Sequence, residues 1–152
     1  MNIVIREASE SDSELIFNFI CELAKYEKLE NEVSATVDII RDSLFNKRQA
    51  EAIIAEADGE PAGFALYFHN FSTFKGKACL YLEDIFVKEN LRGEGIGKRL
   101  FEKLISIAAE RDCERFDWSV LDWNTPSKEF YKSLGAVEMS DWRIFRLTKD
   151  RY

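Results

Sequence analysis

The segment Arg92-Gly93-Glu94-Gly95-Ile96-Gly97-Lys98 constrains this chain more than any other because of what flanks it. Before it, Ala78 to Val87 is almost continuously apolar, as expected of a central strand buried on both faces. After it, Leu100, Leu104, Ile107 and Ala108 recur at helical spacing as far as about Arg111. Glycines at alternate positions let the backbone turn sharply and present successive amides at a helix N-terminus. Oriented N–H groups and the positive end of the helix dipole favour phosphate there. A glycine-rich turn with solvated Arg and Lys has the same composition, so the run taken alone leaves both readings open.

The other segments fit the same alternation of strand and helix. Asn2 to Arg6 has the β-branched content of a short strand, and Ser11-Asp12-Ser13-Glu14 offers a capping box before an apolar run. Leu15, Ile16, Phe19, Ile20, Leu23 and Ala24 then step by three or four, which predicts a helix with one buried stripe. Glu27, Glu30 and Glu32 crowd its exit, and a second helix is expected from about Thr36 to Phe45. Ala50 to Ala57 and Ala62 to Phe68 flank Asp58-Gly59-Glu60-Pro61, the signature of a hairpin. Phe116 to Leu121 reads as a further strand and Trp142 to Leu147 as the last one. Between them Thr125-Pro126 suits an N-cap and first helical residue, and Gly135 a C-cap. No repeat or linker interrupts the pattern, so one mixed α/β domain spanning 1–152 is expected.

Composition removes several classes of function. A net charge of −7 repels nucleic acid and suits a cationic partner, although Arg92, Lys98, Arg99, Lys128 and Lys132 mark a local basic spot. No apolar stretch approaches the roughly 18 residues of a membrane span. Met1-Asn2-Ile3-Val4-Ile5-Arg6-Glu7 lacks the apolar core of a signal peptide, so a cytoplasmic location is expected. Cys21, Cys79 and Cys113 are far apart and odd in number, which reads as reduced thiols rather than disulfides or a zinc site. His69 is the only histidine, which argues against a metal site and leaves it a structural residue.

Glu83 and Asp84 break the apolar strand, and an unpaired buried carboxylate costs several kcal/mol or is forced to protonate. In a regular strand the two point to opposite faces, so one can line a cleft while the other meets a cap or cation. A partly buried carboxylate of raised pKa is a usual general base near neutral pH; a bulge with satisfied hydrogen bonds is the structural alternative. Asn124, Lys128 and Tyr131 fall on one face of the following helix. Tyr131 can protonate a thiolate-like leaving group, or with Phe130 simply fill the core.

The order of segments, with its acidic strand, Arg-Gly-x-Gly-x-Gly turn and Asn-started helix, resembles the GNAT superfamily of acetyl-CoA-dependent N-acetyltransferases. Glu22 to Glu27, Leu80 to Val87, Arg92 to Gly97, Trp123 to Ser127 and Phe130 to Lys132 resemble its diamine (spermidine/spermine) acetyltransferase family. Ser72 to Gly76 and Val120 to Asn124 are similar to that family's thialysine N-epsilon-acetyltransferase branch. The fold implied is an α/β (α+β) GNAT fold, with a mixed central sheet of about six to seven strands and about four helices, splayed at the acetyl-CoA site.

The resemblance also implies roles. Ile85, Phe86 and Val87 would pair with the pantetheine arm through their backbone, and Arg92, Gly93, Glu94, Gly95, Ile96, Gly97 and Lys98 would hold the pyrophosphate. Asn124, Thr125, Pro126 and Ser127 would contact the cofactor from the other side, with Lys132 reaching phosphate. Tyr131 is the implied general acid toward the CoA thiolate and Glu83 the implied base, acting through water on an ammonium. A backbone N–H of the central strand would polarise the thioester carbonyl. Tyr26, Glu27, Glu83, Asp84 and Trp142 match positions facing the amine, and Asp117, Trp118 and Ser119 are further candidates. No metal is implied, and a homodimer is. Ser72-Thr73-Phe74 lacks the acidic residue of the polyamine enzymes, and Met139-Ser140-Asp141-Trp142 departs from the usual approach to the closing tryptophan. Thialysine, lysine-like amines and short diamines therefore stand beside polyamines as acceptors. A protein or peptide amine, or acetyl-CoA binding without catalysis, is the alternative. A Walker-type loop is excluded by Arg92 and Arg99 at the positions of its first Gly and its Ser or Thr.

Overall fold

Asp58 and Gly59 both adopt left-handed backbone, with φ of 51° and 82°, and so turn β2 (Glu51–Ala57) directly into β3 (Glu60–Ser72). The turn is tighter than the four residues the sequence suggested, and Pro61 lies within β3. A computed structural model describes residues 1–152, in which Met1–Ser119 and Val120–Tyr152 are separate compact units. The first holds a five-stranded sheet in the order β1-β2-β3-β4-β5. Strands β1 (Ile3–Glu7) to β4 (Lys77–Val87) are antiparallel neighbours, and β5 (Phe116–Trp118) pairs with β4 in parallel.

Helix α1 (Ser13–Tyr26) covers one face of the sheet. Ile16, Phe19 and Leu23 pack with Ala52, Ile54, Phe64 and Phe86, and the Phe19 ring stacks on Phe64 with centroids 5.4 Å apart. Burying a Phe side chain is worth on the order of 1.5–3 kcal/mol, so this stripe anchors the helix. Helix α3 (Ile96–Glu110) packs against β1 to β4, burying Ile96, Leu100, Phe101 and Leu104. Ile53, Ala55 and Ala65 alternate with the α1-facing residues and are fully buried, which places them beneath α3. A sheet covered on both faces explains the unbroken apolar runs in its sequence.

Entry to α1 differs from the expected cap. Ser9 and Asp12 form the capping box on a preceding 3-10 turn, Asp12 itself is the N-cap, and Arg6 grips the Asp12 carboxylate at 2.8 and 2.9 Å. That hydrogen bond holds Asp12 below the usual carboxylate range. Helix α2 (Val37–Arg41) is capped by Thr36 and continues as a π-helical turn, Asp42–Asn46.

The second unit contains α4 (Thr125–Ser133), closed by Gly135 at φ 89°. Its N-cap is Asn124 rather than Thr125, because the Asn124 carboxamide oxygen accepts from the Ser127 amide; Pro126 is therefore the second helical residue. Two expected strands are cut back. Phe116 to Leu121 keeps only Phe116–Trp118, and Trp142 to Leu147 forms no strand. A strand-forming sequence becomes a strand only where a neighbouring backbone takes its amides and carbonyls, and Ile144, Phe145 and Leu147 stand 79%, 94% and 73% exposed.

Candidate active site

The pairing of β3 with β4 slips by one residue at the acidic pair: Tyr67 faces Leu82, Leu66 faces Asp84, and Glu83 is the extra residue of a β-bulge. The slip resets the alternation. Leu66 and Phe64 belong to the α1 face, so their partners Asp84 and Phe86 do too. The bulge carries Glu83 to the same side. The two carboxylates therefore do not point to opposite faces; both line one cleft of about 360 Å³. Its other walls are Ile20, Leu23 and Ala24 of α1 and Glu27, Leu29, Glu32 and Val33 just beyond it.

Four carboxylates thus meet an apolar wall. Burial, then the charges of Glu83 and Glu27, push Asp84 up to about 6, and burial also raises Glu27. A cation entering this cleft relieves that repulsion. Tyr26 is one residue from the cleft, its ring lying under the Arg92 guanidinium at 4.7 Å. Ser119 shares a 2.8 Å hydrogen bond with the Tyr81 hydroxyl, and Tyr81 packs on Phe68 of the α1 face. Asp117 and Trp118 are not among the cleft's lining residues. Asp117 pairs with Arg115 at 3.7 Å, and Trp118 packs edge-on to Phe101 of α3 at 5.0 Å, on the opposite face.

Beyond Leu82 and Trp118 the parallel pairing of β4 with β5 ends, while β4 runs on to Val87. The edge of Glu83 to Val87 on that side is free of β5, which is the splay the sequence implied. β4 then leads through a 3-10 turn, Glu89–Leu91, into the glycine loop. Gly93 and Gly95 hold φ of 84° and 86°, and Gly95 is the N-cap of α3 with no side-chain cap. A 15-residue helix entered through left-handed glycines and not capped by a side chain offers its first-turn amides to an anion. Ile96 is 1% exposed, so only its backbone can take part, whereas Glu94 and Lys98 are exposed. These features fit a bound pantetheine pyrophosphate: an open strand edge for the arm and a nest for the charge.

In the second unit, the Asn124 side chain is buried and caps α4, and Lys128 donates to the Asp122 carbonyl at 2.6 Å. Both polar groups order the start of the helix. Tyr131 is half-buried beside Phe130, with centroids 5.8 Å apart; Lys132 is exposed, and Trp142 is 77% exposed. Thr125 and Pro126 are exposed in the first turn and Ser127 is half-buried.

Sequence reasoning noted Glu32 only as part of an acidic exit from α1. Its signal was the spacing Glu27 to Glu32 across a break in the helix, which has meaning only once that break folds back over the cleft. The bulge was open in the sequence as the alternative at the acidic pair, but that it sets both carboxylates on one face depends on pairing register and not on residue type. No helix is long and apolar enough to cross a membrane, and the three cysteines are unpaired.

Comparisons with known proteins point to one family. The Acetyltransferase (GNAT) family model matches residues 17–136. A thialysine N-epsilon-acetyltransferase of Bos taurus is 38% identical, covering 95% of this chain and 91% of its own length. An L-ornithine N5-acetyltransferase of Arabidopsis thaliana is 29% identical, covering 96% of this chain and 84% of its own length. Among solved structures, an integron cassette protein of V. cholerae superposes with a TM-score of 0.81 at 28% identity, over 99% of this chain and 94% of that one.

Proposed function

The chain belongs to the acetyltransferase (GNAT) family and is an acetyl-CoA-dependent N-acetyltransferase, and from that premise we propose that its acceptor is a small cationic primary amine. The observation that carries the acceptor class is the bulge, which turns Glu83 and Asp84 together into a cleft already lined by Glu27 and Glu32. Relatives named for thialysine and ornithine acetylation support an amine with an aliphatic or thioether stem, as the apolar wall of Ile20, Leu23 and Leu29 does.

Acetyl-CoA, when bound, supplies an activated acetyl group. In this reading the amides of Gly93 to Lys98 hold its pyrophosphate, and the free edge of Ile85 to Val87 orients the pantetheine arm. Asn124 to Ser127 and Lys132 are further proposed contacts of the cofactor. Asp84 and Glu27 hold the ammonium. Glu83 takes its proton through water, because the amine nitrogen is a nucleophile only when neutral. A backbone N–H of β4 stabilises charge on the carbonyl oxygen. The Tyr131 hydroxyl carries the proton that the departing sulfur needs. Trp142 is proposed to border the acceptor. Three unpaired thiols suit a cytoplasmic setting. The exposed Ile144, Phe145 and Leu147 support a homodimer in which these residues are covered.

A thiol-release assay over thialysine, ornithine, lysine, putrescine, spermidine and a peptide N-terminus, ranked by kcat/KM, tests the acceptor class. A small diamine or diamino acid is expected to lead, and a leading peptide would overturn it. Tyr131→Phe is expected to lower kcat by roughly 10²-fold or more with acetyl-CoA affinity nearly intact. Unchanged turnover removes Tyr131 from the mechanism.

A further inference from the structure

The Arg92 side chain is engaged by the protein's own groups. Its Nε–H donates to the Val87 carbonyl at 2.9 Å, and its guanidinium lies 4.7 Å from the Tyr26 ring centroid and 5.4 Å from that of Phe86. Three elements meet in this one side chain. Val87 and Phe86 end the strand whose free edge faces the donor, Arg92 opens the glycine loop, and Tyr26 is the last residue of α1. Immediately after Tyr26 comes Glu27, which lines the acidic cleft, followed by Leu29, Glu32 and Val33. At the helix end the Glu27 amide bonds the Leu23 carbonyl, the Lys28 amide that of Lys25 and the Leu29 amide that of Ala24, and Lys28 takes left-handed backbone at φ 61°.

We infer that Arg92 is a positioning residue for the amine acceptor: by clasping Tyr26 to the end of β4 it fixes where Glu27 stands, and so couples the donor loop to the acceptor wall. This rests on the amine reading of the cleft given above. A loop arginine beside a phosphate nest would ordinarily be read as a phosphate contact alone. Here one planar guanidinium donates to Val87 and lies over Tyr26 at the same time, two contacts that the compact, strongly hydrated charge of a lysine satisfies less well together.

The discriminating variant is Arg92→Lys, which keeps the charge and loses the fork. Its KM for the amine is expected to rise roughly 3- to 10-fold, on the scale of one cation–π contact and one hydrogen bond, and by a larger factor than its KM for acetyl-CoA. Tyr26→Leu should do the same, Tyr26→Phe should raise it less because the ring is kept, and the effects of Arg92→Lys and Tyr26→Leu should not multiply in the double variant. Hydrogen exchange in the ligand-free protein gives a readout independent of turnover: the Glu27 and Leu29 amides should exchange faster in Arg92→Lys. A rise confined to the acetyl-CoA KM, multiplicative effects, or a lowered Tm with both KM values unchanged would overturn the role. If no amine is a substrate of the parent enzyme, the acceptor reading fails. Unchanged exchange at Glu27 and Leu29 would then sink the clasp separately.

Discussion

Asp84 is kept in an environment that opposes its charge. Burial and the carboxylates of Glu83 and Glu27 lift it to about 6, above the 3.8 of an unperturbed aspartate. The folded form therefore holds a proton that the unfolded form has released between about pH 4 and 6. Stability falls as pH rises through that window and does not recover above it. The difference corresponds to at most about 3 kcal/mol. Asp84→Asn is accordingly expected to melt a few degrees higher than the parent at pH 7, with the gap closing toward pH 4, as followed by thermal denaturation across pH. An equal gap at both pH values would show that charge is not the cause. The same variant should bind the proposed amine more weakly, because a cation relieves the repulsion that asparagine has already removed.

At the scale of elements, the free end of β4 depends on how closely β3 can approach it. A Cβ added at Gly63 would stand 2.4 Å from the Phe86 carbonyl oxygen and 3.2 Å from the Val87 Cα, both backbone atoms that no side-chain rotation can move. Gly63→Ala should therefore shift Phe86 and Val87, raise the KM for acetyl-CoA and cost roughly 1–3 kcal/mol, on the scale of overpacking. Calorimetry with acetyl-CoA and denaturant unfolding measure the two effects, and a neutral result in both would show that β4 yields freely. The strands and helices of the sheet were legible because each carries a periodic apolar pattern that local chemistry alone dictates. Within the site, the glycine loop and the acidic pair were legible as residue types. Their relation was not, since the bulge at Glu83 arises from register. The move of the cap from Thr125 to Asn124 is of the same kind: both residues can cap, and geometry selects the one whose oxygen reaches the Ser127 amide. Trp142 to Leu147 carries strand-forming residues, but no neighbouring backbone completes them.

For the whole molecule, the acidic balance and the exposed apolar residues at the C-terminal end act in opposite directions. A net charge of −7 keeps copies apart at long range, whereas Ile144, Phe145 and Leu147 favour contact at short range. Association should therefore strengthen as salt screens the charge. Sedimentation is expected to give twice the 17.7 kDa chain mass at 0.15 M salt and above, and the monomer for a variant combining Ile144→Ser and Phe145→Ser. A parent that stays monomeric at every salt concentration would remove the dimer.

The extra residue at Glu83 has a further consequence for how this chain can tolerate change. Before it, odd and even positions of β4 belong to one pair of faces; after it, the assignment is exchanged, like a ruler spliced half a division out of step. Substituting any one residue there alters one contact. Deleting Glu83 would set Leu82 opposite Tyr67 and Asp84 opposite Leu66 in one unbroken register and leave every later side chain on its present face, whereas a second inserted residue would widen the bulge. The strand can thus give up this residue without re-pairing, and what it would lose is the carboxylate and the bend that the bulge brings to the cleft.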